Sequence, residues 1–181
     1  MSRHAEIRDQ LVAAMPSLRA FAISLTGNTD RADDLVQDTV LRAWANVEKF
    51  QEGTNLNAWL FTILRNGFYS DHRKRVREVE DVDGAYAERL VTIPSQQSHL
   101  DLDDFRRALL KLSADQREAL LLVAAQGFSY EEAAGICACA VGTIKSRVNR
   151  ARSHLAELLG LTDTDDLGTD GVVMAALQLA A

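Results

Sequence analysis

In segment after segment of this chain, apolar residues recur at spacings of three and four, and nowhere do they sustain an alternation of period two. An α-helix turns once in about 3.6 residues, so such spacing lays apolar side chains along one helix face, whereas a half-buried strand requires alternation. The pattern predicts an all-α fold. Ile7, Leu11, Met15, Leu18, Ala22 and Leu25 form the first stripe, with Pro16 a predicted break or restart. After a turn at Gly27-Asn28, Val36, Val40, Ala43, Val47 and Phe50 form a second and leave Asp34, Gln37, Asp38 and Arg42 largely off it. Thr54 or Asn55 can cap a third helix, in which Leu56, Trp59, Leu60, Ile63, Leu64 and Phe68 crowd most of the circumference. Such a helix is either central to a bundle or carries ligand-facing aromatics.

Farther along, Phe105, Leu109, Leu110 and Leu112 mark a helix, and Asp115 can cap another running to about Ala125. Ser129, with Glu132 three residues later, is a capping box opening a short helix from Tyr130 to Cys137. The last helix, from about Val141 to Leu159, carries Val141, Ile144, Val148, Ala151, Leu155 and Leu158 on its inner stripe.

Charge divides the chain. The 181 residues hold 20 Lys and Arg against 26 Asp and Glu, a net charge of −6, which argues against indiscriminate binding to nucleic acid or anionic membrane. Any contact with a polyanion must be local. From Arg65 to Arg77 five bases (Arg65, Arg73, Lys74, Arg75, Arg77) stand against Asp71 alone. From Glu78 to Asp104 there are eight acids and one base, Arg89, with Gly84, Pro94 and a Ser/Gln cluster at 95–98, so this stretch reads as a solvated linker. No run has the roughly 18 to 20 apolar residues of a membrane span, and MSRHAEIRDQ lacks the apolar core of a signal peptide, so a cytoplasmic protein is expected. Cys137 and Cys139, one residue apart, offer no disulfide framework, a four-ligand zinc site would need two more ligands nearby, and both read as small buried apolar residues.

The layout over 129–157, a short capped helix, a turn of about four residues and a longer amphipathic helix, is that of a helix-turn-helix, whose second helix enters the DNA major groove. In it Thr143, Ser146, Arg147, Asn149 and Arg150 avoid the apolar stripe, and Lys145, Arg147, Arg150 and Arg152 supply four positive charges with no acid before Glu157. Lys and Arg hold phosphates, while Arg, Asn and Ser also address base edges. A second feature is Trp59 to Arg77, where Trp59, Phe61, Phe68 and Tyr69 precede the basic cluster on one helix. Stacking surfaces followed by backbone-tracking charges suit unpaired DNA, although aromatics at helical spacing also serve as core. No catalytic constellation emerges: His4, His72, His99 and His154 are scattered and no glycine-rich phosphate loop follows a strand. No catalytic residue, metal, cofactor or small-molecule substrate is expected.

The motifs DDLVQDTVLRAW, AWLFTILRN followed by DHRKR, LSADQREALLL, FSYEEAAGI and VGTIKSRVNRAR together resemble the extracytoplasmic-function sigma factors, small two-domain initiation subunits of bacterial RNA polymerase. The resemblance spans about residues 8–76 and 102–160 and is strongest to the alphaproteobacterial general-stress group. There a small anti-sigma protein holds the sigma factor and is itself sequestered by a sigma-mimicking response regulator. The resemblance implies a region 2 domain over 1–77, an acidic flexible linker over 78–101, a region 4 helix-turn-helix domain over 102–161, and a tail over 162–181. It implies polymerase core (clamp and flap), promoter DNA and a small anti-sigma factor as partners. It places the clamp contact on Asp34, Gln37, Asp38 and Arg42. The −10 reader falls on Phe50, Trp59, Ile63, Asn66, Arg73 and Lys74, with an extruded base held by Phe50, Ile63 and Asn66. The −35 reader falls on Thr143, Lys145, Ser146, Arg147, Asn149 and Arg150.

The chain departs from the family at the helix-turn-helix turn, which carries Ala138 where glycine is common, and at Gly135 inside the preceding helix. It departs again in the tail, where Asp163, Asp165, Asp166 and Asp170 precede the apolar VVMAALQLAA. The resemblance also offers a rival, a sigma mimic that titrates an anti-sigma factor; such mimics carry a receiver domain, whereas 20 residues follow Leu161 here, so an initiation factor is the expectation. A stand-alone duplex-binding regulator would leave the aromatic-basic helix and the polar face 34–42 without purpose.

Overall fold

The computed structural model describes residues 3–80 and 100–160, and every regular element among them is helical. The chain forms two compact units that divide after Thr92. The first holds α1 (Arg3–Thr26), α2 (Thr29–Ala45), a 3₁₀ turn (Val47–Lys49) and α3 (Leu56–Glu80). The second holds α4 (Leu100–Lys111), α5 (Ala114–Leu120) with a π-helical turn (Leu121–Ala125), α6 (Tyr130–Cys137) and α7 (Val141–Leu159). The linker expected over 78–101 begins and ends inside helices, since α3 reaches Glu80 and α4 starts at Leu100. The rest of that linker and the tail 162–181 lie outside the described residues.

In the first unit the three long helices pack mutually around Leu18, Phe21, Ala22, Leu60, Phe61 and Leu64, all at most 1% exposed. The Phe21 and Phe61 rings meet with centroids 5.1 Å apart. Pro16 does not interrupt α1. It stands on the exposed face, where water reaches the carbonyl that proline deprives of its partner. The stripe of α2 is also rotated from expectation: Leu35 and Thr39 are buried, and Val40 is only half-buried. Burial of Thr39 is tolerated because its hydroxyl donates to the Leu35 carbonyl at 2.7 Å. Asn28 caps α2 through the Arg31 amide, at 2.9 Å, and Asn55 rather than Thr54 caps α3, accepting from the Ala58 amide at 3.3 Å.

The second unit is built around α7, which packs on α4, α5 and α6 through Ile144, Val148, Ala151 and Leu155. Ser113, not Asp115, caps α5, accepting from the Gln116 amide at 3.3 Å. Arg117 donates back to the Leu110 carbonyl at 3.2 Å and so serves the open C-terminal end of α4. Beyond Leu120 the helix widens into the π-turn, and Leu120, Leu121 and Leu122 are all buried. The capping box at α6 is complete: Glu132 N–H donates to Ser129 Oγ at 3.1 Å, and Ser129 N–H donates to Glu132 Oε2 at 2.9 Å.

Candidate nucleic-acid and polymerase interfaces

The turn between α6 and α7 fixes how α7 is presented. Ala138 takes the left-handed conformation (φ 51, ψ 47), and the Cys139 amide reaches back to the Ala134 carbonyl at 3.0 Å, closing the end of α6. The chain then enters α7 at an extended Ala140. With Ile144, Val148, Ala151 and Leu155 facing the core, Lys145, Asn149 and Arg150 are exposed and Thr143 and Ser146 half-exposed. The Ser146 hydroxyl donates to the Thr143 carbonyl at 2.9 Å, and Lys145 Nζ lies 5.6 Å from the Tyr130 ring centroid, over the start of α6. Arg147 differs from these. Its side chain is 22% exposed, ion-paired with Asp115 of α5, and its Nη1 lies 3.9 Å from Cys139 Sγ. Neither link is visible in a count of charges along the helix.

On the first unit Asp34, Gln37, Asp38 and Arg42 are all exposed on α2, with Asp38 and Arg42 paired at 2.8 Å. Asp34, Gln37 and Asp38 line an open groove of about 420 Å³ together with Arg31, Phe68, Asp71 and Arg75. Sequence reasoning missed these last four: Phe68, Asp71 and Arg75 come from α3, thirty or more positions away, while Arg31, on α2 itself, was passed over although it lies three residues from Asp34. Arg31 has a buried Nε with no hydrogen-bond partner. Burial lowers the pKa of its guanidinium and the charge of Arg75 lowers it further, while Asp71 opposes both. The groove therefore offers carboxylates and guanidinium groups side by side.

The Phe50 and Trp59 rings meet in a tilted contact, with centroids 5.3 Å apart and 38° between their planes. On α3, Trp59, Ile63, Asn66 and Arg73 recur at three, four and seven residues and so share one face. That face begins aromatic, passes through an amide and ends in a cation. Asn66 and Arg73 border an open depression of about 500 Å³ with Arg42, Arg65, Tyr69 and Ser70. Phe50 and Ile63 do not line it. Arg65 lies 4.6 Å from the Tyr69 ring centroid, and Arg42 stands at the border of this depression as well as on the α2 face. The basic cluster is split: Arg73 turns to this side and Arg75 to the 420 Å³ groove, while Lys74 is exposed and borders neither. A third, apolar cleft of about 260 Å³ runs between α1 and α2, lined by Leu11, Val12, Met15, Val40 and Trp44 with Arg8 at its edge.

Among the described residues no three His, Cys, Asp or Glu side chains gather as metal ligands, and no helix is long and apolar enough to cross a membrane.

A capped helix-turn-helix on one unit, together with a three-helix unit with a polar face and an aromatic-basic helix, has the layout of a helical DNA-binding protein. Residues 11–78 match Sigma-70 region 2 and residues 102–155 match Sigma-70, region 4. The chain is 65% identical over 171 residues to the ECF RNA polymerase sigma factor EcfG of Rhodopseudomonas palustris, covering 94% of each chain. It is 37% identical over 147 residues to the ECF RNA polymerase sigma factor SigC of Mycobacterium tuberculosis, covering 80% of this chain and 77% of that one. Among solved structures it resembles the sigma factor RpoE of Bartonella quintana, determined in complex with the anti-sigma factor NepR, with a TM-score of 0.80 and 57% identity over 87% of this chain and 99% of that one. The chain belongs to the ECF RNA polymerase sigma factors, which serve promoter-specific initiation of transcription.

Proposed function

We propose that this chain is the dissociable specificity subunit that brings RNA polymerase core to stress-response promoters, and that a small anti-sigma protein restrains it. The observation that carries the reading is α7, which presents Lys145, Asn149 and Arg150 outward from a rigid, capped helix-turn-helix. Set in the major groove of the −35 element, such a helix combines phosphate contacts with groups able to address base edges, Thr143 and Ser146 included. The first unit, taken as 1–77, would bind the polymerase clamp through Asp34, Gln37, Asp38 and Arg42. It would hold the opened −10 strand along Phe50, Trp59, Ile63, Asn66, Arg73 and Lys74. Extruding a base costs a few kcal/mol of unstacking, which stacking and one amide contact can offset. The second unit, taken as 102–161, would also meet the flap.

The protein would act in the cytoplasm by binding alone, with no chemistry of its own. Control by an anti-sigma protein is supported by the complex in which its Bartonella relative was solved. It is also supported by Val12, Met15, Leu41 and Trp44, apolar residues 42–61% exposed on the first unit, since such exposure marks surfaces that another protein covers. Run-off transcription with core polymerase on a panel of candidate promoters tests the reading. Transcripts that depend on this chain, and that disappear when an anti-sigma protein of the NepR kind is added, are the expected result. Binding to the anti-sigma protein without any transcript would instead make the chain a mimic.

A further inference from the structure

We propose that Arg147 is a positioning residue, which locks the DNA-reading helix to the body of its unit and does not itself contact DNA. This rests on α7 reading the −35 element. The charge count along α7 puts Arg147 among the groups that meet DNA, but three observations separate it from them. First, Arg147 lies about 160° around the helix axis from Lys145 and Asn149, on the flank of α7 that it shares with Thr143 and Arg150, so it cannot meet DNA together with Lys145 and Asn149. Second, Arg147 is 22% exposed, whereas Lys145, Asn149 and Arg150 lie open. Third, its guanidinium is engaged twice: Nη2 pairs with Asp115 Oδ2, 32 positions earlier in the chain, and Nη1 faces Cys139 Sγ at 3.9 Å.

Those two partners sit at the places that determine the pose of α7. Asp115 lies in the first turn of α5, where the helix dipole favours an acid. Cys139 follows the left-handed Ala138 in the turn that sets the angle between α6 and α7. A planar guanidinium can hold both at once, as a flexible ammonium cannot. Arg147 thus joins α5, the turn and α7. The same pairing neutralises its charge before any phosphate approaches. A reading helix must hold its outward groups to a fraction of an ångström for base contacts to discriminate, so freeing this joint should lower sequence discrimination.

The test uses the polymerase holoenzyme on promoters with matched and mismatched −35 elements, over a series of salt concentrations and below the unfolding temperature. Arg147→Ala, Arg147→Lys and Asp115→Ala should each lower matched-over-mismatched discrimination by roughly three- to tenfold, the scale of a part-buried ion pair. The Arg147→Ala, Asp115→Ala double variant should be no worse than either single, and the salt slope should not change. A phosphate contact predicts the opposite: Asp115→Ala would strengthen binding by freeing the guanidinium. Arg147→Lys would remain close to wild type, and Arg147→Ala would weaken all sequences alike while lowering the salt slope by about one. That pattern, or wild-type discrimination in all three single variants, overturns the proposal. Arg150→Ala is measured in parallel: lost discrimination there beside wild-type behaviour at 147 and 115 removes the positioning role and leaves the −35 reading standing. If Arg150→Ala and the other variants alike discriminate as wild type, both fall.

Discussion

Ala138→Gly should stabilise the helix-turn-helix unit. Among the described residues Ala138 is the one non-glycine with positive φ, at 51°, where Cβ crowds the following carbonyl. That conformation costs an L-residue about 1–2 kcal/mol. Glycine removes the cost but returns about 0.5–1 kcal/mol through the greater freedom of the unfolded chain, leaving a net gain of about 0.5–1 kcal/mol. Nothing is lost in packing, because Ala138 is exposed. Tryptophan fluorescence cannot see the effect, since both tryptophans, Trp44 and Trp59, belong to the first unit. Amide hydrogen exchange can: the core amides of Ile144 and Val148 should exchange about two- to fivefold more slowly, while fluorescence-detected unfolding of the first unit stays put. Gly160→Ala supplies the mirror experiment. Gly160 has φ +66 and an added Cβ would meet nothing within 4 Å, so its penalty is backbone strain alone and the same amides should exchange faster. Unchanged or faster exchange in Ala138→Gly, beside the expected loss in Gly160→Ala, would refute the strain argument at the turn.

In the first unit, Gly67 lies where α3 crosses α2, and a Cβ there would sit 3.2 Å from Leu35 Cδ1 and 3.5 Å from Arg42 Nη1. Gly67→Val should therefore cost about 1–3 kcal/mol by overpacking, read as a lower midpoint in tryptophan-detected unfolding; an unchanged midpoint would show that Leu35 gives way freely. Asp38→Arg breaks a pair whose side chains are 51% and 56% exposed, so stability should move by no more than about 0.5 kcal/mol. Competition for core polymerase should nevertheless be lost, and wild-type competition would remove the clamp assignment. Asn66→Ala should slow promoter opening with core binding intact. Equal defects on duplex and pre-melted templates would place the amide on the extruded base, and no defect on either would take it out of the interface.

Where a local signal decided the structure, the sequence was readable. The Ser129-Glu132 box and the apolar stripe of α7 give α6 and α7 with the bounds expected, because caps and periodicity are properties of neighbouring residues. Apart from the cap of α5, which falls on Ser113 two residues before Asp115, the differences lie where a distant element decides. Pro16 reads as a break from local chemistry alone, yet packing of α1 on both α2 and α3 holds the helix through it. Valines at helical spacing predict the α2 stripe, but α2 packs against two helices, which brings Leu35 into its buried face and lets a self-satisfied Thr39 in. Similarly, Asp71 and Arg75 join Arg31, Asp34 and Asp38 only once α3 lies beside α2.

Charged groups show the same limit in its sharpest form, and the reason is energetic. A periodicity argument can place an apolar side chain because burial acts on each residue separately and scales with area. The role of a cation, by contrast, depends on whether another group has already claimed it, and the claimant can come from anywhere in the chain. Lys145, Arg147 and Arg150 look equivalent along α7. Among the described residues Arg147 is the one of the three with a carboxylate, that of Asp115, within ion-pair distance. On the first unit, Arg42 is likewise split between Asp38 and the border of the depression that holds Asn66 and Arg73. Composition can therefore establish that a helix-turn-helix carries enough positive charge for DNA. Which of those charges remain free to spend on phosphate is settled by the fold around them.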